Sequence, residues 1–125
     1  MLLNVSDQVQ WHDIPRSQKL QGKEDYKTWI QNWSTAFPDA KLEILNAFTS
    51  GDSVVVEFTA KGTHKGALSS PGMQIPPTNR PLEMSFCDVI QLRDGKIVSA
   101  RTYYDLATIA RQLGVESKLS RPAAA

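Results

Sequence analysis

The chain of 125 residues has one cysteine, two histidines and no run approaching the roughly 18 apolar residues of a membrane-spanning helix. Each shortage excludes something. Cys87 alone cannot close an internal disulfide, which suits a cytoplasmic setting. Zinc centres built on cysteine clusters are excluded, and His12 and His64 are too few for a structural zinc site. There is no basic run and the net charge is +1, so neither nucleic acid nor an anionic membrane is favoured as a partner. The opening MLLNVSDQVQ lacks a charged segment followed by an apolar one, so no secretory signal is read there. No internal repeat is present.

Hydrophobic residues make up 41% of the chain and charged residues 22%, enough for one core under a polar surface. Residues 1–116 read as a single domain and 117–125, rich in serine and alanine, as a disordered tail. Alternation of Val5, Val9 and Trp11 against polar neighbours predicts a strand over 4–13, followed by a loop over 14–21. Tyr26, Trp29, Ile30, Trp33 and Phe37 then recur at helical spacing, predicting a helix from Lys23 to Ala36 that stops before Pro38. Strands follow over 41–50 and 53–64, split by Ser50-Gly51-Asp52. Residues 65–80 carry three prolines and two glycines, a loop length usually tied to function or mobility. Leu106–Leu113 reads as a short helix that Gly114 can end. One aromatic-faced helix among antiparallel strands makes an α+β domain, with the sheet curled around that helix.

The last hairpin, Leu82 to Asp105, turns at Asp94-Gly95, a dipeptide suited to a two-residue type I′ turn. Continuing that turn without interruption sets Leu92 opposite Ile97, Ile90 opposite Ser99, Asp88 opposite Arg101, Phe86 opposite Tyr103 and Met84 opposite Asp105. This face is mostly apolar and should turn inward, yet it carries three charges, which are costly there unless paired or used. On the opposite face Cys87, Val89, Ala100 and Thr102 form a row too apolar for bare solvent, which points to a homodimer through the outer sheet face.

Four segments resemble the SnoaL-like polyketide cyclases of the nuclear-transport-factor-2-like superfamily. They are Tyr26-Lys27-Thr28-Trp29 through Phe37-Pro38-Asp39, then Gly62-Thr63-His64-Lys65-Gly66, then Ile75-Pro76-Pro77-Thr78-Asn79-Arg80, and Asp94-Gly95-Lys96-Ile97-Val98 through Asp105 to Gln112-Leu113-Gly114. Together they cover about residues 22–115. The resemblance implies a cone-shaped α+β barrel with an apolar pocket, dimerised through the outer sheet face and needing no metal or organic cofactor. Members usually open with a longer helical segment than the ten or so residues before Trp11-His12. A shortened cover would leave the pocket more open or closed by a partner chain.

In the cyclases an aspartate corresponding to Asp105 acts as acid/base in an intramolecular aldol closure. The residues alone also allow Asp105 to be a helix N-cap before Leu106-Ala107-Thr108. Capping hydrogen bonds favour the charged carboxylate, whereas an apolar pocket raises its pKa toward that of a working base. Asp88 and Arg101 read either as a cross-strand ion pair or as a polar floor that orients a substrate. Asp88, Arg101 and Asp105 also resemble the Asp-Arg-Asp set of the limonene epoxide hydrolases, although Arg101 and Asp105 stand roughly 13 Å apart along one strand. His64, at a strand end, and His12 are candidate helpers in proton transfer or simply hydrogen-bonded histidines. Trp11, Trp29, Trp33, Phe58, Phe86 and Tyr103 are core residues or a platform for a small apolar molecule. The expected activity is acid/base chemistry on an apolar carbonyl compound. The alternatives are a ligand-binding or dimerisation module of the same fold, or epoxide-hydrolase-like activity.

Overall fold

The computed structural model describes residues 4–70 and 73–116. In chain order it contains β1 (Val5–Asp13), β2 (Gln18–Gln21), α1 (Lys23–Ala36), β3 (Lys41–Ser50), β4 (Ser53–Thr63), β5 (Leu68–Ser70), β6 (Met73–Ile75), β7 (Pro81–Arg93), β8 (Lys96–Tyr103) and α2 (Leu106–Leu113). Six strands form one sheet in the order β2-β1-β8-β7-β4-β3, and β5 pairs with β6 separately. The β1–β8 ladder is parallel and the others are antiparallel. The α+β class is as expected, but the sheet stays open, with β2 and β3 as its edges. Two expected loops contain strands: Gln18–Gln21 pairs back on β1, and β5–β6 lies within 65–80. The expected disordered tail lies outside the described residues.

α1 spans the stretch its aromatic spacing predicts. Gly22 offers no side-chain cap, but Asp25 reaches back to accept the Gln21 N–H at 3.0 Å. Acidic Glu24 and Asp25 in the first turn also suit the positive end of the helix dipole. Tyr26 and Trp29 are buried against Trp11 of β1, with ring centroids 5.0 and 5.6 Å from it. Burial of such side chains stabilises by about 1.5–3 kcal/mol each. α2 lies on the same face of the sheet, where Ile109, Ala110 and Leu113 pack with Leu82 and Met84 of β7.

The turn at Asp94-Gly95 forms as expected, with φ of 53° and 77°. Arg93 pairs with Lys96 and Leu92 with Ile97. The register then shifts by one residue, so Gln91 lies opposite Ser99, Val89 opposite Arg101 and Asp88 opposite Thr102. A β-bulge supplies the extra residue, and a one-residue slip exchanges the two faces of a strand. The expected pairings of Asp88 with Arg101 and Phe86 with Tyr103 therefore do not form. Arg101 and Tyr103 turn outward and are exposed, while Ala100 and Thr102 are buried inside. The outer row accordingly loses Ala100 and Thr102.

Several of the recognisable motifs are clamps between elements. Asp39, which follows the end of α1, accepts the Thr63 N–H at 2.8 Å and its hydroxyl at 2.9 Å. Gln112 of α2 brackets Glu83 of β7, accepting its N–H at 2.8 Å and donating to its carbonyl at 2.9 Å. Gly66 passes so close to the end of α1 that a Cβ there would lie 2.0 Å from the Thr35 carbonyl oxygen. The backbone must shift to accept any side chain. Gly66→Ala should therefore lower unfolding stability by about 1–3 kcal/mol, read from the urea midpoint. An unchanged midpoint would mean that the contact is not tight.

Candidate active site

The strand registers place one row of side chains across the inner face: Asp13 of β1, Thr102 of β8, Asp88 of β7, Val56 of β4 and Ala47 of β3. Two aspartates thus flank Thr102, in different surroundings.

Asp13 is fully buried and saturated with donors. Arg16, just beyond it in the β1–β2 turn, binds Oδ2 through Nη2 at 2.9 Å and Nε at 3.0 Å. The Trp29 indole N–H donates to the same oxygen at 3.0 Å, and the Tyr104 hydroxyl donates to Oδ1 at 2.8 Å. Arg16 stacks over the Trp33 ring at 4.9 Å. Burial pushes the Tyr104 hydroxyl far above its ordinary pKa, so its proton stays in place. This is a paired, hydrogen-bonded buried charge. Tyr104 takes the inward place that the uninterrupted register gives to Tyr103.

Asp88 has no such set. The Thr102 hydroxyl donates to its Oδ1 at 2.7 Å, and no cation bonds it among the described residues. Burial raises its carboxyl to about 6, against the opposing pull of the Thr102 hydrogen bond. Val56 lies opposite on β4, while Phe86 and Ile90 flank Asp88 along its own strand. Phe86 stacks on Phe58 at 5.2 Å, and Trp33 and Tyr104 pack around it at 6.1 and 5.1 Å. Trp33, Phe58, Phe86 and Val56 are all partly exposed. Beyond them Leu42 and Ile44 of β3, opposite Ala60 and Phe58, are 58% and 67% exposed. The inner face is therefore an accessible apolar and aromatic surface with a weakly acidic carboxyl beside it.

The other predicted site residues are dispersed. Asp105 is exposed and caps α2, accepting the Thr108 hydroxyl and the Ala107 N–H, each at 3.0 Å. These bonds hold its carboxyl below the ordinary range. His12 is on the outer face, level with Lys19 and Arg101. The expected Asp-Arg-Asp set does not assemble, since Arg101 is on the outer face and donates to the Tyr103 hydroxyl at 3.1 Å. Trp11 and Trp29 are buried core residues. Two grooves, of about 450 and 280 Å³, are lined mainly by polar residues such as Gln8 and Lys96 or His12 and Arg101, and neither includes Asp88.

His64 is fully buried against Phe37 and secures residues 78–80. Its backbone bonds Asn79 and Arg80, and its Nδ1 accepts the Thr78 N–H at 3.2 Å. That bond places the ring proton on Nε2, which has no hydrogen-bond partner in the described structure. Burial lowers the pKa of the ring.

Asp13, Arg16, Thr102 and Tyr104 are absent from the sequence-derived site. For Thr102 and Tyr104 the signal was a change of parity in β8: Ile97 is apolar at an odd position and Ala100 at an even one, which a bulge reconciles; Asp13 and Arg16 carried no such signal.

The fold matches that of solved nuclear-transport-factor-2-like structures. The sequence model of the SnoaL-like polyketide cyclases matches residues 4–113, and the chain belongs to that family. Among solved structures, the chain is similar to IdmH, a candidate polyketide cyclase from Streptomyces antibioticus, with 28% identity, a TM-score of 0.70, and coverage of 89% of this chain and 82% of that one. A candidate SnoaL-like polyketide cyclase from Jannaschia sp. CCS1 gives 22% identity and a TM-score of 0.72, covering 95% of this chain and 75% of that one. AclR, a candidate hydroxylase from Streptomyces galilaeus, gives 21% identity and a TM-score of 0.72; the match covers 89% of this chain but only 66% of AclR. The comparison with curated proteins finds no match.

Two stability measurements follow from the titrating groups. The Asp88 carboxyl ionises near 3.8 when unfolded and near 6 when folded. Its cost to the fold is absent below the first value, grows between them and is complete above the second, amounting to at most about 3 kcal/mol. Asp88→Asn should thus raise the urea midpoint at pH 7.5, with the gain shrinking toward pH 4; a loss of stability at pH 7.5 would contradict this. For His64 the sign is opposite. With its folded pKa below the ordinary 6.5, the unfolded chain takes up the proton first as pH falls. In the Asp88→Asn background, stability should be level above about pH 6.5 and decline below it, and His64→Gln should remove part of that slope.

Proposed function

We propose that the protein is an acid/base enzyme that moves a proton on a small apolar carbonyl compound, with Asp88 as the proton-transfer group. The observation that supports this is a carboxyl raised to about 6, with no cationic partner among the described residues, beside a partly exposed aromatic face. A group of that pKa is mostly ionised at neutral pH and is still a stronger base than an ordinary carboxylate. Val56, Phe58, Phe86 and Trp33 would hold the apolar body of the substrate.

In the proposed step the Asp88 carboxylate removes the proton from the carbon next to the carbonyl. The C–H bonding electrons move into an enolate, and the protonated Asp88 returns the proton. Return to another atom gives an isomer. Attack of the enolate carbon on a second carbonyl of the same molecule closes a ring, with the proton passing to the new alkoxide. The latter is the cyclase-type outcome that family membership favours. The Tyr104 hydroxyl is committed to Asp13 and keeps its proton, so it holds the polar wall in place.

The test needs no knowledge of the natural substrate. Aryl β-diketones in deuterated buffer report proton removal through exchange at the carbon between the carbonyls, followed by NMR. The protein should accelerate exchange above buffer, with a rate rising through an inflection near pH 6. Asp88→Asn should lower the rate by about 10²–10⁴-fold while still binding the probe, whereas Asp105→Asn should retain it. No acceleration by the natural protein across such probes, with binding intact, would leave a ligand-binding role instead.

A further inference from the structure

The two oxygens of Asp88 are not equivalent. The Trp11 indole N–H donates to Thr102 Oγ1 at 2.8 Å, and Thr102 Oγ1 lies 2.7 Å from Asp88 Oδ1. An indole nitrogen can only donate, and a hydroxyl has one proton. Once Trp11 has taken an acceptor position on Thr102, that single proton is directed at Asp88. The parts that set this direction are rigid. Trp11 is 2% exposed and lies in the ring stack with Tyr26 and Trp29, and Thr102 is 3% exposed and β-branched. Asp88 Oδ2, by contrast, has no hydrogen bond among the described residues. On Asp13, on the other side of Thr102 in the same row, both oxygens are bonded.

We propose that Trp11 and Thr102 are positioning residues, a one-way hydrogen-bond relay that fixes Asp88 Oδ1 as the held oxygen and leaves Oδ2 to meet the substrate proton. This rests on the reading of Asp88 as the proton-transfer group. A carboxylate free to rotate would present either oxygen in many orientations. One held at Oδ1 leaves a single unbonded oxygen in a fixed position, which reduces the entropy to be lost on reaching the reactive geometry. The relay also moderates the basicity of the group. A donor aimed at the charged form opposes the effect of burial, and donation from Trp11 polarises the hydroxyl further. The ionisable groups nearest along the row are Asp13, Arg16 and Tyr104, which bond one another. β4 contributes the uncharged Val56, while Glu57 and Cys87 belong to the opposite face.

The relay is tested on the full chain by carboxyl carbon-13 NMR, with Asp88 assigned by its loss in Asp88→Asn. Thr102→Val keeps the shape and removes the hydroxyl, and should raise the Asp88 titration midpoint by about one pH unit. Thr102→Ser should restore it. Trp11→Phe keeps the hydroxyl but frees its direction, and should produce a smaller rise. It tests the relay independently should Thr102→Val fail to fold. In the exchange assay, the pH–rate inflection should move with the NMR midpoint, and kcat should change while KM does not. A midpoint unmoved in Thr102→Val, or in Trp11→Phe if only that variant folds, overturns the relay. If the midpoints move as stated but the natural protein exchanges no probe, the hydrogen-bond relay stands and the catalytic reading of Asp88 falls.

Discussion

Between the Leu92–Ile97 and Gln91–Ser99 pairs, β8 carries one residue more than β7. Side chains on a strand alternate with a period of two, so that single residue inverts every position after it. Ala100, Thr102 and Tyr104 turn inward in place of Ser99, Arg101 and Tyr103. The inversion keeps Arg101 off the inner face. It also supplies the hydroxyl bonded to Asp88, the acceptor for the Trp11 indole and the phenol bonded to Asp13. The inward hydroxyl of Thr102 and phenol of Tyr104 follow from one irregularity in an otherwise regular hairpin.

Asp13 and Asp88 show two outcomes for an aspartate on the same buried row. At Asp13, a guanidinium, an indole and a phenol supply donors to both carboxylate oxygens. At Asp88, one hydroxyl is too little to offset desolvation, and the proton is held more strongly. A fold selected for stability alone would gain by replacing Asp88 with a neutral residue. Such cost is characteristic of functional positions, which are often not optimal for stability. Asp105, with its capping bonds and exposure, is in a setting that stabilises the fold and keeps its carboxylate ionised.

Much of the fold was legible because its signals are local. The aromatic spacing of Tyr26, Trp29 and Trp33 defined α1, and Gly114 marked the end of α2. Asp94-Gly95 identified the hairpin and its first two pairs. The site was less legible because it depends on non-local register. The parity change from Ile97 to Ala100 was visible in the chain, but the exact effect of a bulge on Asp88 requires the neighbouring strand. The short pairing of β2 with β1 was hidden for a related reason: Gln18–Gln21 offers only Leu20 as a buried residue. The motifs that carried the family resemblance pointed to Asp105 and His64. In the structure those residues secure backbone, as do Asp39, Gly66 and Gln112, whereas Asp88 stands outside every one of those motifs.

The parallel seam between β1 and β8 joins the first and the last of the described strands. The bonds from Trp11 to Thr102 and from Tyr104 to Asp13 each span 91 positions in sequence. Closing so long a loop carries a large entropic cost and must wait for most of the chain to be available. During synthesis the β3–β4 hairpin and α1 can form from local contacts, but the row around Asp88 cannot be completed until β8 emerges. The row around Asp88 is therefore assembled late, and a chain cut short within β8 would lack the Thr102 hydroxyl and the Tyr104 phenol that set Asp88 and Asp13 apart.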